Sequence, residues 1–287
     1  MDLTYLPEEV KVESVFHPSD FSEASEVAFA HALKTALVTG ADLSILHVTA
    51  GHDAHWQDFP GVRDTLERWK LIPKGSSKDA VAKLGIEVSK IVASNTDPVK
   101  ACLSFLEKHP ADLIVLAVHQ RDGRTRWMEK SMGEPIARGA GKMTLFIPHG
   151  VEGFVSRHDG SVRLRSILIP ITSKPRPQPS LEAARHLILG LQLPAGAVTL
   201  LHVGPAGEVP SVKTPEDTAW EWNRLVKEGE PVHVILETAA EIGADLIVMT
   251  TDGPDGFLDA LHGSTTQRVL SKAPCPVISL PVESMLG

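Results

Sequence analysis

The stretch ADLIVLAVHQRDG at Ala111–Gly123 returns 133 residues later as ADLIVMTTDGPDG at Ala244–Gly256. The same offset aligns Asp97-Pro98 with Glu230-Pro231, Ser131 with Ser264, and Pro148 with Pro281. Working outward, SILHV at Ser44–Val48 matches TLLHV at Thr199–Val203 at an offset of 155, and SVFHP at Ser14–Pro18 matches SILIP at Ser166–Pro170 at an offset of 152. Blocks that repeat in the same order define an internal duplication. The fall in offset from 155 to 133 means that the second copy lacks about 22 residues between its second and third strands.

Each copy alternates strand-like and helix-like segments, the pattern of a parallel sheet covered on both faces. In the first copy the expected strands are Ser14–His17, Asp42–Val48, Ile86–Ala93, Leu113–Val118 and Met143–Ile147. In the second they are Ser166–Ile169, Val198–Val203, roughly Glu221–Val226, Leu246–Met249 and Val277–Leu280. Between them, Phe29, Leu33, Ala36 and Leu37 follow helical spacing, as do Val99, Cys102, Leu103 and Leu106. The latter helix opens on Asp97-Pro98, a capping residue followed by proline in the first turn, and its counterpart opens on Glu230-Pro231. The polar, Gly-rich stretch His149–Arg165 contains the expected boundary, which divides the chain into residues 1–155 and 156–287. Residues Ala50–Lys83 read only as a short helix near Val62–Trp69 and an excursion over a sheet edge.

Composition narrows the function. With 43% hydrophobic and 22% charged residues the chain has a globular balance, and its net charge of −8, without a long basic run, argues against a nucleic-acid partner. The two cysteines, Cys102 and Cys275, lie in different copies and form neither a disulfide framework nor a zinc motif. The acidic start MDLTYLPEEVKVE lacks the features of a secretory signal, and no apolar run reaches the ~18–20 residues that span a bilayer. The expected location is the cytoplasm, with no membrane contact.

In open parallel sheets ligands bind beyond the carboxyl ends of the strands, where strand order reverses. In the second copy that region includes Thr250-Thr251-Asp252-Gly253-Pro254-Asp255-Gly256, then Gly263-Ser264-Thr265 and an expected helix over Thr266–Lys272. Glycines admit close approach of an anion, and the free N–H groups at a helix start favour phosphate. Ser264 as an ordinary helix cap accounts for the same spacing.

The loop Thr250-x2-Gly253-x9-Gly263-Ser264 resembles the phosphate-cradling signature of the universal stress protein family, Gly-x2-Gly-x9-Gly-Ser/Thr, with Thr in place of the first Gly. TTQRVLSKAPCPVISL after it resembles the family's last helix and strand, and HPSDFSEAS resembles its opening. The resemblance covers nearly the whole chain as two tandem copies. It implies two Rossmann-like domains related to the adenine nucleotide alpha hydrolases, each a five-stranded parallel sheet of order 3-2-1-4-5 flanked by helices. It further implies pairing through the last strand, here satisfied within one chain as a pseudo-dimer, with homodimerisation as an added possibility. It implies ATP or another adenine nucleotide, with Mg, as ligand in some family members.

The copies depart from the family pattern in complementary ways. The first keeps Asp20 but carries Ala117, Gln120 and Lys130 where glycines are expected, leaving Ser131. The second keeps Gly253, Gly263, Ser264 and Thr265, while Thr172 stands where the acidic residue is expected; one unmade hydrogen bond there costs about 1–3 kcal/mol. The resemblance places Pro170, Thr172 and Val203 at the nucleoside end and Thr250, Gly253, Gly263, Ser264 and Thr265 at the phosphates, with Asp20, Val48 and Ser131 as the weaker set in the first copy. His17, His47 and His119 fall at strand ends and are the candidate zinc ligands; strand-end histidines also serve as hydrogen-bonding core residues, so no metal is expected. No HExxH, Walker-type Gly-Lys-Ser/Thr or CxxC motif occurs, and no catalytic residue is assigned. The expected function is stress-response signalling through nucleotide binding by the second copy, acting on an unknown protein partner. A nucleotide-independent interaction scaffold is the alternative, and a weak ATPase or metal-dependent hydrolase the third reading.

Overall fold

Runs such as LIVLAV at Leu113–Val118 and LIVMTT at Leu246–Thr251 have no polar alternate face, so a strand built from them has to be covered on both sides. The computed structural model describes residues 11–50, 59–118, 132–251 and 265–282, and it supplies that cover. The first copy contributes β1 (Ser14–Pro18), α1 (Glu23–Thr39), β2 (Asp42–Thr49), α2 (Val62–Arg68), α3 (Asp79–Ala82) and β3 (Val88–Ser94). It continues through α4 (Pro98–Lys108), β4 (Leu113–Val118), α5 (Gly133–Ala140) and β5 (Met143–Pro148). The second contributes β6 (Ser166–Pro170), α6 (Gln178–Gly190), β7 (Ala197–Val203) and β8 (Glu221–Lys227). It closes with α7 (Pro231–Glu241), β9 (Leu246–Thr251), α8 (Thr265–Leu270) and β10 (Val277–Pro281).

All ten strands form one sheet in the order β3-β2-β1-β4-β5-β10-β9-β6-β7-β8. Each half has the expected 3-2-1-4-5 order and is parallel, and the halves join where β5 and β10 pair antiparallel, with Leu145 opposite Ile278. Helices α1 and α6 pack on one face over Val15, Ile45, Leu145 and Ile278. Helices α4, α5, α7 and α8 pack on the other, over Phe16, Ile114, Phe146 and Val277. On that second face the two copies meet through residues equivalent at the 133 offset: Gln267 Nε2 donates to Glu134 Oε2 at 2.6 Å.

The repeated Ala-Asp-Leu motif has a physical role. Asp112 Oδ2 accepts from the backbone N–H of Glu13 and of Ser14, at 2.9 and 3.0 Å, which ties the start of β1 to the start of β4. Asp245 Oδ2 does the same for Arg165 and Ser166, at 2.8 and 3.0 Å. The caps read from sequence also form: Asp97 accepts from Lys100 N–H and Glu230 from His233 N–H, each before a first-turn proline.

The third strand begins at Val88 rather than Ile86; Ile86 is buried in the core just ahead of the ladder. The fourth strand of the second copy extends to Thr251, two residues past the expected end, because its ladder with β10 runs on to Pro281. The polar stretch His149–Arg165 forms a small hairpin closed by a Val155–Val162 bridge and is fastened to the first copy. Arg68 Nε and Trp69 Nε1 both donate to Arg157 O, at 3.0 and 3.1 Å. Its main anchor is His31, fully buried on α1: Nδ1 donates to Val27 O at 2.8 Å, and Nε2 accepts from the N–H groups of Phe154 and Val155 at 3.0 and 3.1 Å. Burial pushes this imidazole down to about 4, so it is neutral at pH 7, as a doubly accepting Nε2 requires.

His31→Ala leaves two buried N–H groups without an acceptor and is expected to destabilise the chain by about 2–4 kcal/mol. His31→Gln, which restores a carbonyl acceptor, should recover part of that loss in urea unfolding.

Candidate functional site

In the first half β1 and β4 keep register only at Val15–Leu113 and Phe16–Ile114. Past that point order reverses, and the next position on β1 is His17. Its Nδ1 lies 2.9 Å from Val115 O, so the ring donates there and its Nε2 is left as an acceptor toward Ser25 Oγ at 3.4 Å. Ser25 Oγ is 3.0 Å from Ser19 Oγ, and His47 Nδ1 donates to Ser19 O at 2.8 Å. Burial pushes His17 down to about 4, so the ring is neutral at pH 7. Phe21 stacks on His47, with centroids 3.9 Å apart and planes within 15°. Phe21 holds φ = 62°, a conformation that costs a side-chain-bearing residue about 1–2 kcal/mol and that the aromatic contact helps to offset. Asp20 is exposed; its Oδ1 accepts from Ser22 N–H at 3.0 Å and Ser22 Oγ at 2.6 Å, shaping the turn into α1.

Asp20 and Val48 line a cleft of ≈ 90 Å³ with Ser19, Ala117 and Gly133. Small-molecule sites generally run to about 300–1,000 Å³. The narrowness comes from α5: a Cβ on Gly133 would stand 2.7 Å from Val118 Cγ1, so the helix sits directly on β4. The polar groups at this switch point are paired with one another inside a narrow cleft.

In the second half Pro170 ends β6 and Val203 ends the adjacent β7, both half-buried, and Thr172 follows exposed two residues beyond Pro170. These three expected nucleoside contacts are therefore brought to one end of two paired strands. Thr250 is different: it is a buried ladder residue opposite Leu280, which follows from the longer β9. Thr265 is the exposed first residue of α8. α8 is described from Thr265 to Leu270, and the turn expected to cradle phosphate before it lies outside the described residues. His119, Ser131, Gly253, Gly263 and Ser264, with Gln120 and Lys130, lie outside the described residues.

Superposing the copies by offset exposes a contrast. Ile169 and Ile171 stand at the positions of His17 and Ser19, while Ser180 corresponds to Ser25 and His202 to His47. The exchange removes both side-chain partners of the Ser25 position, while the histidine keeps its bond to a backbone carbonyl in each copy, Ser19 O for His47 and Ile171 O for His202. Ser180 Oγ, fully buried, and His202 Nε2, on a ring 6% exposed, have no hydrogen-bond partner among the described residues. His202 Nδ1 lies 3.3 Å from Ile171 O, which fixes the ring at the end of β7. Gly204, at φ = 148°, lies close against Nε2: a Cβ there would come within 3.2 Å of it. Pattern reading missed Ser180; aligning α6 with α1 at the 155 offset is the signal that finds it.

Of the candidate zinc ligands, His17 and His47 lie among the described residues and are held in hydrogen bonds. Both ring nitrogens of His17 and Nδ1 of His47 are in hydrogen bonds, and the described residues contain no group of three or more His, Cys, Asp or Glu placed for a metal. Burial pushes the thiols of Cys102 and Cys275 up to about 12, which makes both unreactive.

The description "Universal stress protein family" belongs to a family model that matches residues 13–148 and 221–281. A universal stress protein of Methanocaldococcus jannaschii is 32% identical over 124 residues, covering 34% of this chain and 73% of that one. A universal stress protein E homolog of Haemophilus influenzae is 42% identical over 55 residues, and the match spans only 18% of its length. A solved universal stress protein from Archaeoglobus fulgidus superposes with a TM-score of 0.61 at 17% identity, covering 94% of this chain and 99% of that one; the likeness is one of fold. No helix among the described residues is long and apolar enough to cross a membrane.

His17 and His31 make stability depend on pH. Each has a folded-state pKa of about 4 against an ordinary 6.5, so the unfolded chain binds more protons between those values. Stability is full above about pH 6.5 and falls as pH drops toward 4, by about 2 kcal/mol per histidine between pH 7 and pH 5. Urea midpoints at the two pH values check this, and His17→Ile, the second copy's choice, should remove about half of the histidine-dependent loss.

Proposed function

The chain belongs to the universal stress protein family, and from that premise we propose that it is a nucleotide-responsive module of stress signalling whose second half takes ATP or a related adenine nucleotide. One observation carries the assignment to that half: His202 Nε2 is buried and has no partner among the described residues, beside Gly204 at the strand end where Val203 is expected to meet the ligand. In the first half Ser25 Oγ, the counterpart of Ser180 Oγ, is held by Ser19 Oγ and His17 Nε2 beside a cleft of ≈ 90 Å³. Stranded Ser180 Oγ points the same way, since a buried polar group without a partner is a standing cost that a bound ligand or water relieves.

In this reading Pro170, Thr172 and Val203 hold the nucleoside, and Gly253, Gly263, Ser264 and Thr265 lie along the phosphates. The nucleotide supplies a polyanionic chain and, with Mg, a charge that reorganises the loop bearing those glycines. Occupancy then changes the surface offered to a protein partner. The units acting in this way are residues 1–155 and 156–287, the first serving mainly as a rigid platform. The closed cleft of the first half also favours a second reading, in which the whole chain is a nucleotide-independent scaffold.

Calorimetric titration with Mg-ATP separates the two. The wild type is expected to bind saturably, and Gly263→Lys, which copies Lys130, should weaken binding at least about tenfold. His202→Leu should weaken binding about fivefold; it also removes the Nδ1 hydrogen bond to Ile171 O, so the unliganded chain should lose about 1 kcal/mol of stability. Silence of the wild type toward ATP would leave the scaffold reading.

A further inference from the structure

On the face of the sheet bearing α4, α5, α7 and α8, the junction of the copies is bridged by Glu134 and Gln267. On the other face α1 and α6 stand to either side of β5 and β10 and leave a cavity of ≈ 380 Å³ over the seam. Val12, Leu113, Met143, Leu145, Phe154 and Ile278 form its apolar walls. Its volume is within the range of small-molecule sites and, at about 30 Å³ per water-sized group, admits about a dozen of them. The hydroxyls of Thr35 and Thr39 also line it but donate to His31 O and Thr35 O, at 2.9 and 3.0 Å. A peptide strand laid here would meet no backbone partner along those walls, so an extended chain segment is a poor occupant.

The rim has a definite sign. Lys11, Arg185 and His186 line the cavity, and no Asp or Glu does among the described residues, in a chain whose net charge is −8. Lys11 and Arg185 hold Glu13 and Asp217, which stand outside the lining. His186 adds a donor. Its Nε2 faces Arg185 Nη1 at 3.3 Å; a guanidinium only donates, so Nε2 accepts and the hydrogen sits on Nδ1. That Nδ1 is buried and has no partner among the described residues.

We propose that the seam cavity binds a medium-chain fatty carboxylate of about ten to twelve carbons, its chain over Leu145 and Ile278 and its head at Lys11, Arg185 and His186. The carboxylate accepts from His186 Nδ1 and meets a wall free of acidic groups. The chain fills space between the two copies, so binding also clamps them together. This site is separate from the strand ends that would hold a nucleotide.

The test is calorimetric titration of the full chain with dodecanoate below its micellar concentration, in parallel with dodecylammonium. Saturable binding of dodecanoate, with dodecylammonium at least about tenfold weaker, is the expected result. Leu189→Glu changes a rim residue that is 42% exposed, so the fold should stand while affinity falls at least about tenfold. His186→Phe keeps the ring shape, removes the donor and should weaken binding about fivefold. Absence of saturable binding, equal binding of the two head groups, or indifference to Leu189→Glu would overturn the proposal. Sedimentation showing a wild-type dimer that Leu189→Glu dissociates, with no uptake of dodecanoate, would assign the cavity to a second copy of the chain and overturn it equally.

Discussion

Antiparallel pairing of β5 with β10 is the contact on which the architecture depends. Each half ends its sheet on an apolar strand, LFIP at Leu145–Pro148 and VISLP at Val277–Pro281, and such an edge left open invites pairing with any other strand. Joining the two edges removes both and makes one ten-stranded sheet with β3 and β8 outermost. β8 reads EWNRLVK and exposes charged residues on its outer positions, which suits an edge facing water. The seam also decides what lies over it, and the two faces differ. Short α5 and α8 close one side, while long α1 and α6 hold the other apart.

Duplication made most of this legible from the amino acids. Repeats at offsets of 133, 152 and 155 gave the strands in order, and apolar runs flanked by capping residues gave the helices. Ends were less readable, because they depend on partners distant in sequence. β9 runs to Thr251 since β10 continues beside it, and no local feature of Met249 or Thr250 reports that. The stretch His149–Arg165 has a linker's composition, yet one imidazole, His31, 123 residues before Phe154, fixes it to α1. Within Ala50–Lys83 the helix near Val62–Trp69 is legible and forms as α2; it is only seven residues long and is held by Leu66 and Trp69 against the first core.

The candidate site was legible as a location and only partly as chemistry. Pro170, Thr172 and Val203 gather at strand ends where the order reverses. What distinguishes the halves is an exchange of side chains: isoleucines replace His17 and Ser19, and Ser180 Oγ is left without a partner among the described residues. Motif comparison weighs residues that are present, so it is blind to a polar atom whose partner has been exchanged for a methyl group.

The meeting of Glu134 with Gln267 has a consequence for the tandem arrangement itself. When two identical subunits meet about a twofold axis, a residue near that axis faces its own duplicate, and a carboxylate there confronts a second carboxylate. A single polypeptide carrying both halves is released from that rule. It places an amide opposite the acid, exchanging electrostatic repulsion for a donor–acceptor pair. Covalent fusion thus permits chemical asymmetry at the centre of an almost symmetric body, and it lets the two halves diverge without breaking the joint between them.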